Sequence, residues 1–167
     1  QWQDDWETPD TQTITYKFPN NTAATWEGRS CNNHNSEGSG RGVVFYGDKG
    51  TIVYPGSNSY QLFDYDNKLV EEVKDSTPYN PSNPVSPTES LDGLHLENFV
   101  EAIRGNQKIN APIAEGHKST LLPQLGNIAF RVKRVLSCDP GNGHILHDKE
   151  AMELWGREYE KGWEVKV

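Results

Sequence analysis

Gly42-Val43-Val44-Phe45-Tyr46-Gly47-Asp48-Lys49-Gly50-Thr51-Ile52-Val53-Tyr54 holds two short runs of β-branched and aromatic residues around a four-residue turn rich in glycine. Such runs favour a pleated, half-buried surface, and glycine admits the backbone angles that a tight reversal demands. The stretch therefore reads as an antiparallel hairpin, and the same grammar extends to both sides of it. Upstream, Thr11 to Phe18 alternates so that Ile14, Tyr16 and Phe18 share a face, and Thr22 to Ser30 follows the turn Pro19-Asn20-Asn21. Downstream, Tyr60 to Tyr65 and Lys68 to Lys74 flank Asp66-Asn67. Six strands joined by short turns predict an antiparallel meander.

Beyond Lys74 the pattern changes. Pro78, Pro81, Pro84 and Pro87 recur at every third position, the repeat of a polyproline II segment. That spacing suits a stiff strap better than a ligand for an aromatic groove. Helical periodicity follows. Leu96, Phe99, Val100 and Ile103 fall on one face, with Gly105 as a stop. Leu121, Leu125, Ile128, Val132 and Val135 form a second stripe, in which Pro123 fits only within a first turn. A third helix is expected from Asp148 as N-cap to Tyr159, with Ala151, Leu154 and Trp155 inward. Strands first and helices afterwards predict an α+β fold: an open, mainly antiparallel β-sheet with helices packed on one face. The chain is expected to be one domain, 1–167, with sheet over 1–74, strap over 75–89 and helices over 90–167. The other sheet face, carrying Phe45, Ile52 and Tyr54, then needs a cover.

Composition excludes several functions. The 167 residues carry 16 Lys+Arg against 24 Asp+Glu, a net charge of −8, and no basic run. This surface does not release counterions from nucleic acid and is not drawn to an anionic membrane, so neither is an expected partner. No apolar run approaches the roughly 18 residues that would span a bilayer. Mean hydropathy is −0.80, yet five Trp, seven Tyr and five Phe provide large side chains to bury. Cys31 and Cys138 fit neither a disulfide framework nor a zinc spacing, and read as two thiols.

Candidate chemistry is sparse. Gly38-Ser39-Gly40-Arg41-Gly42 superficially resembles a phosphate loop, but the third fingerprint glycine would fall at Val43 and a strand follows, so no cofactor-binding residue is assigned. His144 and His147, beside Asp148 and Glu150, lack visible third and fourth ligands, so no metal is expected. His34 reads as a loop residue. Gly116-His117-Lys118-Ser119 opens the second helix, where free backbone N–H groups, an imidazole and an ammonium could meet a sugar hydroxyl or an anion; a capping role for Ser119 is the alternative. Trp26 and Arg29 could stack on and hydrogen-bond a sugar from one strand face. His117, Lys118, Trp26 and Arg29 are therefore the substrate-binding candidates, and no catalytic residue is assigned.

Five segments taken together resemble a known family: Thr25-Trp26-Glu27-Gly28-Arg29, Gly42 through Thr51, Asn98-Phe99-Val100-Glu101-Ala102-Ile103-Arg104, Gly116-His117-Lys118-Ser119 with Leu125-Gly126-Asn127-Ile128-Ala129, and Asp148 through Met152 on to Trp163. In order and spacing they are similar to the C-terminal half of bacterial glucose–fructose oxidoreductase/inositol dehydrogenase/MocA-type proteins. The resemblance implies a partner N-terminal Rossmann domain that binds NAD or NADP, a carbohydrate or cyclitol substrate, and homo-oligomers formed through the open sheet. The family's Glu-Lys-Pro motif and its Asp/His motif do not precede Gln1, so the fragment is expected to bind no cofactor and to be inactive alone. An NAD-dependent glycosidase of the same architecture and a non-enzymatic sugar-binding or scaffold module are the alternatives. The substrate sugar, the choice between NAD and NADP, and a cytoplasmic or periplasmic location are not legible.

Overall fold

A computed structural model describes residues 5–56, 59–74 and 89–164, the first three residues of its first helix for their backbone alone. The elements run β1 (Thr11–Lys17), β2 (Ala23–Arg29), β3 (Val43–Tyr46), β4 (Thr51–Tyr54), β5 (Tyr60–Phe63), β6 (Leu69–Val73), α1 (Glu89–Ile103), α2 (Ile113–Val132) and α3 (Lys149–Glu153). The fold is α+β with antiparallel sheets, as expected. The six strands do not form one meander, however: β1 and β2 pair as a two-stranded sheet, and β3-β4-β5-β6 form a second sheet in that order. The long Ser30–Gly42 connection interrupts the succession of tight turns. The strap residues 75–88 lie outside the described residues, and Glu89 already belongs to α1.

Two compact units contain these elements, Gln1–Cys31 with Ala111–Val167, and Asn32–Asn110. In the first, β1 alternates between exposed and half-buried positions. Its half-buried side meets α2: the Tyr16 hydroxyl donates to the Leu122 carbonyl at 2.7 Å, and Gln12 Nε2 to the Gly126 carbonyl at 3.3 Å. Ile14 lies so near Gly126 that a Cβ there would overlap Ile14 Cδ1. Helix α2 buries Leu125 and Ile128 with Ile145 and Ala151, and Leu121, Val132, Leu136, Cys138, Met152 and Trp155 pack around them. Val135 leaves the expected stripe, because Lys133 adopts a left-handed φ of 56° that ends α2, and Val135 is 95% exposed.

Pro123 lies in the interior of α2, not in its first turn. A proline there removes an N–H and strains the preceding turn, a cost of about 3 kcal/mol. The two hydrogen bonds from β1 and the buried stripe offset that cost, a tertiary override of local propensity. Helix α3 is shorter than expected, ending at Leu154. Its N-cap is Asp148, whose carboxylate accepts from Ala151 N at 3.1 Å.

In the second unit Gly47 N donates to Gly50 O at 2.9 Å, closing the β3–β4 turn, and Asp64 Oδ1 accepts from Asp66 N and Lys68 N to close β5–β6. Helix α1 ends at Gly105, φ 78°, with Gly105 N on Ala102 O and Asn106 N on Glu101 O. Its stripe of Leu96, Phe99, Val100 and Ile103 is 41–71% exposed. The buried anchor of α1 is instead Asn98, whose amide donates to Gln107 Oε1 and Lys108 O and accepts from Asn110 N.

Candidate functional site

All four substrate-binding candidates lie in the first unit. His117 and Lys118 are exposed on α2, but not at its start. The helix begins at Ile113 behind Pro112, whose carbonyl already accepts from Glu115 N and Gly116 N. His117 to Ser119 therefore sit in the second turn, past the unpaired N–H groups. Ser119 does not cap the helix; its hydroxyl donates back to Glu115 O at 2.9 Å, and Thr120 does the same to Gly116 O. Lys118 Nζ pairs with Glu115 Oε1 at 2.8 Å.

Trp26 stands opposite Ile14 and Arg29 opposite Thr11. With a side-chain period of two, positions 26 and 29 point to opposite faces of β2, so the expected Trp-Arg pair on one face is not formed. Trp26 is 55% exposed, and its indole lies along Gly28 with Nε1 3.2 Å from where a Cβ there would stand. Arg29 Nε pairs with Glu27 Oε1 at 3.1 Å.

The strongest polar cluster was not singled out from the sequence. Arg134 grips Asp148 with two bonds of 2.7 Å, Nε to Oδ2 and Nη2 to Oδ1, and Nη2 also reaches Glu150 Oε2 at 2.8 Å. The guanidinium, with the Ala151 N–H second, holds the Asp148 carboxyl down at about 2. The cluster ties the end of α2 to the cap of α3. The signal for it is a cation just past a helix end and a carboxylate capping another, separated by a turn. His144 meets Trp155 edge-on, centroids 5.0 Å apart, and among the described residues no three His, Cys, Asp or Glu side chains gather as a metal site.

Gly38-Ser39-Gly40-Arg41-Gly42 leads directly into β3 after a small Ser36–Ser39 bridge. A strand and not a helix follows the loop, so it lacks the strand–loop–helix order in which a dinucleotide pyrophosphate is cradled. In the same unit, register places Val43, Phe45, Ile52, Tyr54, Tyr60, Leu62, Glu71 and Val73 on one sheet face. Phe45, Ile52, Tyr54, Tyr60, Leu62 and Glu71 line a shallow groove there. Phe45 is 58% exposed, whereas Val53 on the opposite face is buried. Tyr60 donates to Glu71 Oε1 at 2.9 Å, and that bond raises the tyrosine's pKa.

The family model described as oxidoreductase family, C-terminal alpha/beta domain, matches residues 44–165. No curated protein and no solved structure matches the chain. The family match spans β3 through α3, most of the chain and both units. The chain thus belongs to the glucose–fructose oxidoreductase/inositol dehydrogenase/MocA oxidoreductase family, as its C-terminal α/β domain.

Proposed function

We propose that this chain is the substrate-binding and oligomerisation domain of an NAD(P)-dependent oxidoreductase acting on a sugar, sugar derivative or cyclitol. The family match over residues 44–165 carries this reading. In it, the cofactor is held by a partner N-terminal domain and supplies hydride transfer, since the described residues here offer no pyrophosphate cradle. This chain contributes a rim to the substrate cleft, with His117 and Lys118 as hydroxyl-binding groups and with Trp26 and Arg29 in weaker roles on opposite faces of β2. The whole chain, 1–167, works as that single domain.

Incubating the full-length enzyme with NAD+ or NADP+ and a panel of aldoses, uronates and inositols tests the proposal. Net NAD(P)H with stoichiometric oxidised sugar is expected. Glycoside cleavage without net reduced cofactor would overturn the dehydrogenase reading in favour of an NAD-dependent glycosidase. The oligomer reading is supported by the apolar sheet face, since large exposed apolar patches mark association surfaces. Light scattering on this chain is expected to give a multiple of 18.8 kDa. A mass of one chain at every concentration would refute it.

A further inference from the structure

We propose that Asn142 is a spontaneous modification site gated by the fold: when the Asp139–His144 turn opens, the Gly143 backbone nitrogen converts Asn142 through a succinimide to isoaspartate, which bars the turn from closing again. This site is independent of the substrate and oligomer readings above and bears on the lifetime of the folded chain.

Asn142-Gly143 is the one Asn-Gly pair in the sequence. Glycine carries no Cβ to shield its nitrogen, so here the amide side chain is most open to attack from the main chain. In the reaction Gly143 N gives its proton to water or hydroxide and bonds to Cγ of Asn142, the Cγ–Nδ2 bond breaks, and ammonia leaves. Water then opens the ring. Cleavage between the ring nitrogen and Cγ leaves aspartate, whereas cleavage between that nitrogen and the main-chain carbonyl carbon of residue 142 leaves isoaspartate. Water is the sole co-reactant.

The folded turn opposes the first step. Asn142 is exposed, so hydrogen bonding and not burial protects it. Gly143 N donates to the Asp139 carbonyl at 2.7 Å. Removing that proton would leave two electron-rich atoms facing each other with no hydrogen between them. His144 N donates to Asn142 Oδ1 at 2.9 Å, which polarises Cγ, but no attack begins while the Gly143 proton is held. The flanks of the turn are fastened too: Asp139 N bonds His144 O at 2.9 Å, Leu146 N bonds Ser137 O at 2.7 Å, and Ile145 is 6% exposed in the core. Gly143, at φ 75°, sits so close to Leu121 that even a Cβ would overlap Leu121 Cδ2. Isoaspartate routes the backbone through Cβ and Cγ, adding one carbon and about 1.5 Å of chain at this seat. Aspartate adds none and keeps an oxygen for His144 N, so the isoaspartate product is the one that prevents closure.

The test compares the 167-residue chain with a synthetic peptide of residues 135–149 in one mildly alkaline buffer, with and without urea above the unfolding midpoint. Trypsin releases the same segment from the chain, and electron-transfer fragmentation tells isoaspartate, aspartate and asparagine apart at position 142. In urea, chain and peptide should react at equal rates. In buffer the chain should be slower by about tenfold or more, because attack waits on opening of the turn. Equal rates in buffer would overturn the gate. On return from urea to buffer, limited proteolysis should digest the isoaspartate chains and spare those with asparagine or aspartate; equal survival would overturn the bar to closure. Asn142→Asp should keep the wild-type circular dichroism spectrum and melting temperature, and a chain unfolded by Asn142→Asp would overturn the assignment of the damage to the added backbone carbon.

Discussion

Replacing Gly126 by alanine sets two effects of opposite sign against each other. Gly126 is buried inside α2, where alanine in place of glycine gains about 1 kcal/mol of helix propensity. The added Cβ, however, would overlap Ile14 Cδ1, lie 3.0 Å from Ile14 Cγ1 and sit 3.4 Å from the Tyr16 hydroxyl. Overpacking of this kind costs about 1–3 kcal/mol. Displacing β1 also endangers the Tyr16–Leu122 and Gln12–Gly126 hydrogen bonds, worth about 1 kcal/mol each. The expected net effect is a loss of about 1–3 kcal/mol, read as a lower midpoint in urea unfolding at unchanged slope. Ile14→Val deletes the overlapping Cδ1 itself, so the double variant Ile14→Val/Gly126→Ala should recover about 1 kcal/mol relative to the sum of the single changes. A stabilised Gly126→Ala protein would refute the packing of β1 on α2.

Asp148 has its carboxyl held at about 2 in the folded chain against about 3.9 when unfolded, so it contributes stability above pH ~4 that is lost as pH falls towards 2. Asp148→Asn should flatten that part of the acid unfolding profile, and an unchanged profile would count against the Arg134 clasp. Burial pushes the Cys138 thiol up while Cys31 is exposed, so iodoacetamide at pH 8 should label Cys31 first; mass spectrometry of the labelled peptides reads the order. Gly143→Ala should cost about 1–3 kcal/mol, since φ is 75° and the new Cβ would collide with Leu121, and thermal unfolding measures it. In the full-length enzyme His117→Ala should lower kcat/KM several-fold with an unchanged melting temperature; a fall in stability without a kinetic defect would reduce His117 to a helix-surface residue.

Period and punctuation alone placed every strand, the existence of the three helices, the Gly105 stop and the Asp148 cap, though not the start of α2 or the end of α3, because these depend on backbone preferences acting over a few residues. The ordered spacing of the Gly42–Thr51, Asn98–Arg104 and Gly116–Ala129 segments likewise carried the family, which the match over 44–165 bears out. Other features are contacts between positions far apart in sequence, and no local signal encodes them. That β1 and β2 pair only with each other, and not with the β3–β6 strands, depends on the choice of hydrogen-bond partners, which no local signal encodes. Pro123 is tolerated in mid-helix because α2 is held by contacts far away in sequence: Tyr16, more than a hundred residues earlier, bonds the Leu122 carbonyl, and Leu125 and Ile128 are buried with Ile145 and Ala151. Asn98 looks like an ordinary polar residue on α1 until Gln107, Lys108 and Asn110 fold back onto it. Arg134 becomes the partner of Asp148 only when the turn at Asp139–Gly143 returns the chain to the end of α2. Local propensity selects the elements; the partner each side chain meets is decided by packing, which sets burial and charge environment only once the whole chain has closed.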